Sequence, residues 1–125
     1  MTNVLYVEDE ESLAMIVSDS LEAQGFIVRH VLNGQQALIF HNKYKPDIIV
    51  MDVMIPIMDG FTTSKEIRKT DLVTPLIFLT AMTQTEDVVK GFTLGANDYI
   101  RKPCKIAELL VRMPAALKKM TIICP

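Results

Sequence analysis

The stretch IIVMDVM, Ile48 to Met54, is an unbroken apolar run with one carboxylate, Asp52, inside it. The nearest basic residue before Asp52 is Lys45 and the nearest after it is Lys65, so no sequence neighbour neutralises the charge. A continuous apolar run introduced by Pro46-Asp47 reads as a strand buried on both faces, which belongs in a parallel sheet covered by helices. An ionised group in the middle of such a strand would be very costly. Asp52 is therefore expected at the strand's carboxyl tip.

Working outward, short β-branched runs alternate with amphipathic stretches. Asn3 to Val7 predicts a strand, and Glu11 to Gln24 a helix with Leu13, Ile16, Val17 and Leu21 on its buried face, closed at Gly25. Ile27 to Val31 is a second strand, Asn33-Gly34 a turn, and Gln35 to Tyr44 a second helix. After the central strand come a loop from Pro56 to Gly60 and a third helix from Phe61 to about Lys69. Leu76 to Leu79 is a fourth strand behind Pro75. Thr85 to Leu94 is a fourth helix stopped by Gly95. Asp98 to Ile100 is a short fifth strand, and Lys105 to Lys119 a fifth helix. Repeated βα units predict a doubly wound (βα)5 three-layer sandwich with a parallel sheet.

The chain has 125 residues, half of them hydrophobic, which suits one domain with a real core. No apolar run reaches the ~18 residues of a membrane helix. The start, MTNVLYVEDE, lacks the basic and long apolar parts of a secretory signal. A net charge of −2 without a basic cluster makes this domain alone a poor nucleic-acid binder. Cys104 and Cys124 form no metal-ligand pattern, and a reduced cytoplasmic setting is expected. The scattered methionines read as soft core filler.

Open α/β sheets bind ligands beyond the carboxyl ends of their strands. Here the first strand ends in Glu8-Asp9, the third in Asp52 and the fourth in Thr80, and the fifth is followed by Lys102-Pro103. Gathered carboxylates repel one another, and a hard divalent cation relieves that repulsion. Mg²⁺ needs only one or two carboxylates, so Asp9 and Asp52 with Glu8 behind them suffice. Asp52 is then placed to act as a nucleophile toward a phosphoryl group, with Lys102 and Thr80 to meet the transferred oxygens. Each residue also has a plain reading. A Glu-Asp pair after a strand is more often a helix cap, Thr80 a capping hydroxyl, and Lys102 a solvated cation. The joint placement on one rim distinguishes the functional reading.

From Asn3 to Lys119 the chain resembles the receiver domain of two-component response regulators. The resemblance rests on VEDE (Val7 to Glu10), MDVMIPIMDG (Met51 to Gly60), LTA (Leu79 to Ala81) and LGANDYIRKP (Leu94 to Pro103), in that order and spacing. It implies the CheY-like, flavodoxin-like strand order 2-1-3-4-5. Asp52 is implied as the phosphoacceptor, and Glu8, Asp9, Asp52 and the backbone carbonyl of Met54 as the site for Mg²⁺, with Mn²⁺ an alternative. Thr80 and Tyr99 are implied as the switch pair, Lys102 as the phosphate-pairing lysine, and Lys102-Pro103 as a cis bond. The implied protein is a signalling switch rather than an enzyme, taking its phosphoryl group from a histidine kinase.

An OmpR/PhoB-type regulator would dimerise through the face of the fourth helix, fifth strand and fifth helix. Lys90, Asp98, Glu108 and Arg112 are candidates for the cross-dimer charges or for plain solvated ones. DNA would be reached only through an output domain beyond this stretch, and no membrane contact is expected. Residues 1–119 are assigned to the receiver and 120–125 to a short tail or linker.

Departures from the family pattern are Cys104 in place of a usual Phe, Asn97 in place of a frequent Asp, and Pro114 inside the fifth helix, where a kink or an end near Met113 is expected. A haloacid-dehalogenase-type hydrolase would want an acid two residues after Asp52, where Met54 stands. A nucleotide or flavin module would want glycines after the first strand, where VEDEES has none. A pseudo-receiver that binds partners without phosphorylation is the remaining alternative.

Overall fold

The structure is a computed structural model that describes residues 2–82 and 84–123, with side chains described as far as residue 118. The strands are β1 (Asn3–Val7), β2 (Ile27–Val31), β3 (Ile48–Met51), β4 (Leu76–Thr80) and β5 (Asp98–Arg101). The helices are α1 (Glu11–Ala23), α2 (Gly34–Tyr44), α3 (Gly60–Arg68), α4 (Thr85–Thr93) and α5 (Ile106–Ile123). The strands form one parallel sheet in the order β2-β1-β3-β4-β5.

Alternation along the strands divides the core between the two faces of the sheet. Val4, Tyr6, Val50, Ile77 and Leu79 pack with Val17 and Leu21 of α1 and with Leu109 and Met113 of α5. Leu5, Val7, Ile49, Met51 and Phe78 pack with Ala37 of α2 and with Phe61 and Ile67 of α3. Every residue of β3 and β4 is buried, as the two-faced apolar runs require. Each fully buried Leu or Ile contributes about 1.5–3 kcal/mol, so these strands carry much of the stability. One expected core position differs. Ile16 is 59 % exposed, because α1 buries Ala14, Val17 and Leu21 instead.

Local chemistry sets the helix ends. Asn33 Oδ1 accepts from Gln36 N at 2.8 Å and Asp59 Oδ1 from Thr62 N at 2.7 Å, so these residues cap α2 and α3. Gly34 and Gly60, expected in the preceding turn and loop, are thereby the first helical residues. Gly25 and Gly95, at φ of 93° and 101°, turn the chain out of α1 and α4. Beyond α3 the chain is pinned through Asp71. Its Oδ1 accepts from Val73 N and Thr74 N, and its Oδ2 from the Thr74 hydroxyl, with the buried His41 ring of α2 2.8 Å away. Arg68 donates to the carbonyls of Asp71 and Gly95, tying this turn to the end of α4.

The fifth helix does not end at Met113; it continues through Pro114 to Ile123. Pro114 is exposed, while Met113 and Ala116 keep the core-facing stripe buried, so packing holds the helix across the missing donor. Of the expected tail, Cys124 and Pro125 lie outside the described residues. Restoring the donor in Pro114→Ala is expected to raise stability by about 1–3 kcal/mol. The check is a urea midpoint that moves up at unchanged slope.

Candidate functional site

The register builds the site. Val7 is paired with Met51 across β1 and β3, so Glu8 and Asp52 leave the sheet side by side. The ladder runs one residue past the strands: Glu8 N donates to Val31 O, Asp52 N to Val7 O and Lys102 N to Thr80 O, at 3.1, 3.1 and 2.8 Å. The candidate side chains thus stand on backbone that is still sheet-bonded.

Glu8 and Asp52 are buried, at 1 % and 6 % exposure, whereas Asp9 is exposed. The Lys102 ammonium sits between the two buried carboxylates, 2.7 Å from Asp52 Oδ2 and in contact with Glu8 Oε1. The other oxygens are also used. Glu8 Oε2 accepts from Glu10 N at 3.2 Å and Asp52 Oδ1 from Met54 N at 3.1 Å. Glu8, Asp9 and Asp52 each bring one oxygen within 4.8 Å of the others. The helix-capping reading of Glu8-Asp9 is not realised, since Glu10 occupies the cap of α1 and no side chain caps it.

Burial raises the Glu8 pKa above the ordinary carboxylate range, and the Lys102 bond only partly offsets it. Burial works against the charge on Lys102, but its bonds to Asp52 and Glu8 outweigh that and hold its pKa above the usual lysine value. The two directions agree: Lys102 is the fixed charge, and one buried acid beside it is under electrostatic stress. Two lysine-bridged carboxylates with Asp9 beside them still carry an excess of negative charge, and their all-oxygen donors suit a small hard cation.

The loop after Asp52 closes the site from below. Gly60 N donates to Val53 O at 2.8 Å, and a Cβ on Gly60 would lie 2.3 Å from the Asp52 carbonyl oxygen. No larger residue can start α3 so close to the Asp52 main chain. Ile57 in this loop is 75 % exposed and adopts φ of 71°, which costs a β-branched residue about 1–2 kcal/mol. The Lys102–Pro103 bond is cis.

Thr80 is buried, and its Oγ1 accepts from Met82 N at 3.3 Å. Tyr99 is no surface tyrosine: it is 8 % exposed and donates its hydroxyl to Met82 O at 2.6 Å. Burial, with Asp87 and Asp52 nearby, pushes its phenol up to about 12. Tyr99 continues an aromatic row with Phe78 and Phe61, the ring centroids 5.9 and 5.3 Å apart, and Lys90 lies 5.0 Å from the Phe61 ring. Gly91 of α4 faces Tyr99, and a Cβ there would lie 2.8 Å from Tyr99 Cδ2.

Other sequence candidates fall as follows. Arg112 pairs within the chain, with Asp98 at 2.9 Å and Glu108 at 3.1 Å. Asn97 Oδ1 accepts from Leu76 N at 3.0 Å, an acceptor role that needs no charge. Cys104 packs half-buried against the core under α5, and burial pushes its thiol up. Gly91, Met82 and the Phe61–Phe78 pair carried no recognisable motif.

A doubly wound sheet with an acidic pocket at its strand tips and no glycine in the turn after β1 defines a class of α/β domain unlike the dinucleotide binders. The chain belongs to the response regulator receiver domain family, whose model matches residues 4–113. Such receivers are signalling domains of two-component systems. The chain is 40 % identical over 117 residues to the transcriptional regulatory protein RprY of Bacteroides fragilis, covering 94 % of this chain and 50 % of that protein. It is 38 % identical over 122 residues to the alkaline phosphatase synthesis transcriptional regulatory protein PhoP of Bacillus subtilis, covering 98 % and 51 %. The chain thus spans about half the length of these curated relatives. Among solved structures it resembles the receiver domain of the Francisella response regulator 1452, with TM-score 0.90, 33 % identity and coverage of 95 % and 98 %. Among the described residues no helix is long and apolar enough to cross a membrane.

Replacing the bridging ammonium should expose its importance. Without added divalent cation, Lys102→Met is expected to lose about 3 kcal/mol at neutral pH, because two buried carboxylates then face each other unpaired. The loss should shrink as pH falls through the raised Glu8 pKa and the pair takes up a proton. Urea unfolding across that pH range checks both the size and the slope.

Proposed function

We propose that this chain is a phosphoacceptor receiver that takes a phosphoryl group from a histidine kinase onto Asp52. The observation that supports this most is the pairing of Asp52 with Lys102, 2.7 Å apart on strands that are not neighbours. In the transfer the P–N bond to the donor histidine breaks, and a P–O bond to an Asp52 carboxylate oxygen forms. Lys102 exchanges part of its carboxylate contact for the incoming phosphoryl oxygens, and Thr80 offers its hydroxyl to the same group. Glu8, Asp9, Asp52 and the Met54 carbonyl would hold Mg²⁺ or Mn²⁺. When bound, the ion supplies charge neutralisation for the approach of an anionic donor to an acidic pocket.

Met82 offers the physical link from chemistry to output. Its N–H is held by Thr80 and its carbonyl by Tyr99, so the two switch side chains grip one peptide segment from opposite ends. Phosphorylation adds charge and acceptor oxygens at Asp52, draws Thr80 toward them, and so biases Met82 and the packing of Tyr99. The face of α4, β5 and α5 is the output surface on this reading. It carries the exposed Val89, Phe92 and Val111, and we assign it to homodimer contact. By analogy with the relatives' names, transcription is the output. DNA would be reached through a separate domain, and the cytoplasm is the setting.

Intact mass after incubation with acetyl phosphate tests the chemistry. A gain of one phosphoryl group that depends on Mg²⁺ and vanishes in Asp52→Asn is expected; no gain under any condition would leave a pseudo-receiver.

The switch has its own test. Gly91→Ala is expected to push Tyr99 outward, and its phenol pKa, read by NMR titration, should fall from about 12 toward the ordinary tyrosine value. An unchanged titration with the fold intact would remove Gly91 from the switch.

A further inference from the structure

A second recess lies at the opposite end of the sheet from the acidic pocket. Between α2 and the edge strand β2, a cleft of about 440 Å³ is lined by Asn3, Val4, Arg29, Phe40, Tyr44 and Pro46. That volume falls in the range of small-molecule sites, roughly 300–1,000 Å³. The cleft lies where α2, which packs on β1 and α3, meets the edge strand β2. Arg29 stands on the same face of β2 as Val31, which packs into the core beneath α2. Phe40 and Tyr44 are four apart and therefore share one side of α2.

The lining is chemically one-sided. Arg29 is exposed, and among the described residues its guanidinium has no hydrogen bond or ion pair. No acidic side chain lines the cleft. Asp47, next to the lining residue Pro46, uses Oδ2 to accept from Asn3 N at 2.7 Å. On the α2 side of the cleft, the Phe40 and Tyr44 rings lie 5.0 Å apart and are inclined by 39°. Tyr44 is 61 % exposed at the rim, and Lys43 Nζ lies 5.2 Å from its ring, adding positive potential beside the opening. A chain of net charge −2 thus sets a free guanidinium in a cleft with an aromatic wall, with an ammonium beside Tyr44, at the end of the sheet opposite the Glu8-Asp9-Asp52 cluster.

We propose that this cleft binds a small planar aromatic anion, the ring lying against Phe40 and Tyr44 and the phosphate or carboxylate held by Arg29. The guanidinium fork can pair with two oxygens of either a carboxylate or a phosphate, and the rings accept any flat π-system. Mononucleotides and aromatic carboxylic acids share this chemistry, and the site is independent of the reading of Asp52.

The test is an amide NMR titration of the wild-type chain with adenosine monophosphate and, separately, 4-hydroxybenzoate, with adenosine and inorganic phosphate as controls. Saturable shifts are expected at Arg29, Phe40 and Tyr44 with one of the two anions, and each control should bind about tenfold more weakly or worse. A response to the nucleotide alone identifies a nucleotide site, and a response to the benzoate alone an aromatic-acid site. Arg29→Gln and Tyr44→Ala should each raise the dissociation constant about tenfold or more. Both residues are exposed, so the resonances of the acidic pocket should stay in place and report an intact fold. No saturable shift at these residues up to about 10 mM of either anion, far above a millimolar constant, would overturn the proposal. So would equal affinity for adenosine, or unchanged affinity in Arg29→Gln.

Discussion

The Lys102 ammonium between Glu8 and Asp52 is the constraint on which the rest of the molecule depends. Two carboxylates removed from water cost several kcal/mol each unless a partner holds them. The partner comes from β5, which is separated from β3 by β4 and from β1 by two strands. The charge balance therefore closes only when β1, β3, β4 and β5 are in register. A slip of one residue would turn the apolar faces of a strand outward and also leave a buried acid unpaired. Hydrophobic burial supplies the bulk of the stability, and the ionic bridge specifies which alignment of the strands is allowed.

That bridge also explains why the loop behind Asp52 is so tightly made. Gly60 brings α3 against the Asp52 carbonyl, and Ile57 accepts an unfavourable backbone angle in the open, where no buried contact compensates it. Such strain is kept where the surrounding structure fixes the chain. Here it is fixed on both sides, by the ladder bond of Asp52 N to Val7 O and by the Asp59 cap of α3. The nucleophile candidate is thus held by its main chain, leaving its carboxylate to exchange partners.

How much of this could be read in the residues depended on the range of the interaction. The apolar run at Ile48 gave the strand, its burial and the terminal position of Asp52, because each follows from periodicity and the cost of a buried charge. The gathering of Glu8, Asp52, Thr80 and Lys102 followed from the sheet rule once the strands were assigned. Helix boundaries were less legible at Gly34 and Gly60, where a side-chain cap one residue earlier outweighed the turn tendency of glycine. Pro114 misled because its local cost is overridden by Met113 and Ala116 packing on the core. By residue pattern alone Tyr99 reads as a surface tyrosine, and only the family resemblance singled it out, since its burial depends on the missing side chain of Gly91. The α2 cleft was invisible as a group, because Arg29 of β2 and Phe40 and Tyr44 of α2 come together only through the packing of that helix on the sheet.

The Asp71 turn described with the fold gives the molecule two ends with opposite responses to acid. Burial works against the Asp71 charge, but its bonds from Thr74, Val73 and His41 outweigh that and hold its pKa well below the usual carboxylate range. Its contribution is present above about pH 4, the value in the unfolded chain, and is lost below it. Glu8, shifted upward, behaves in reverse, for its folded form is favoured when it gains a proton. Mild acid therefore relaxes the ionic strain at the strand tips while the turn that anchors α2 to α3 stays fully charged. Only stronger acid reaches that anchor. The sheet is in this sense a lever with a soft, titratable head and a stiff heel.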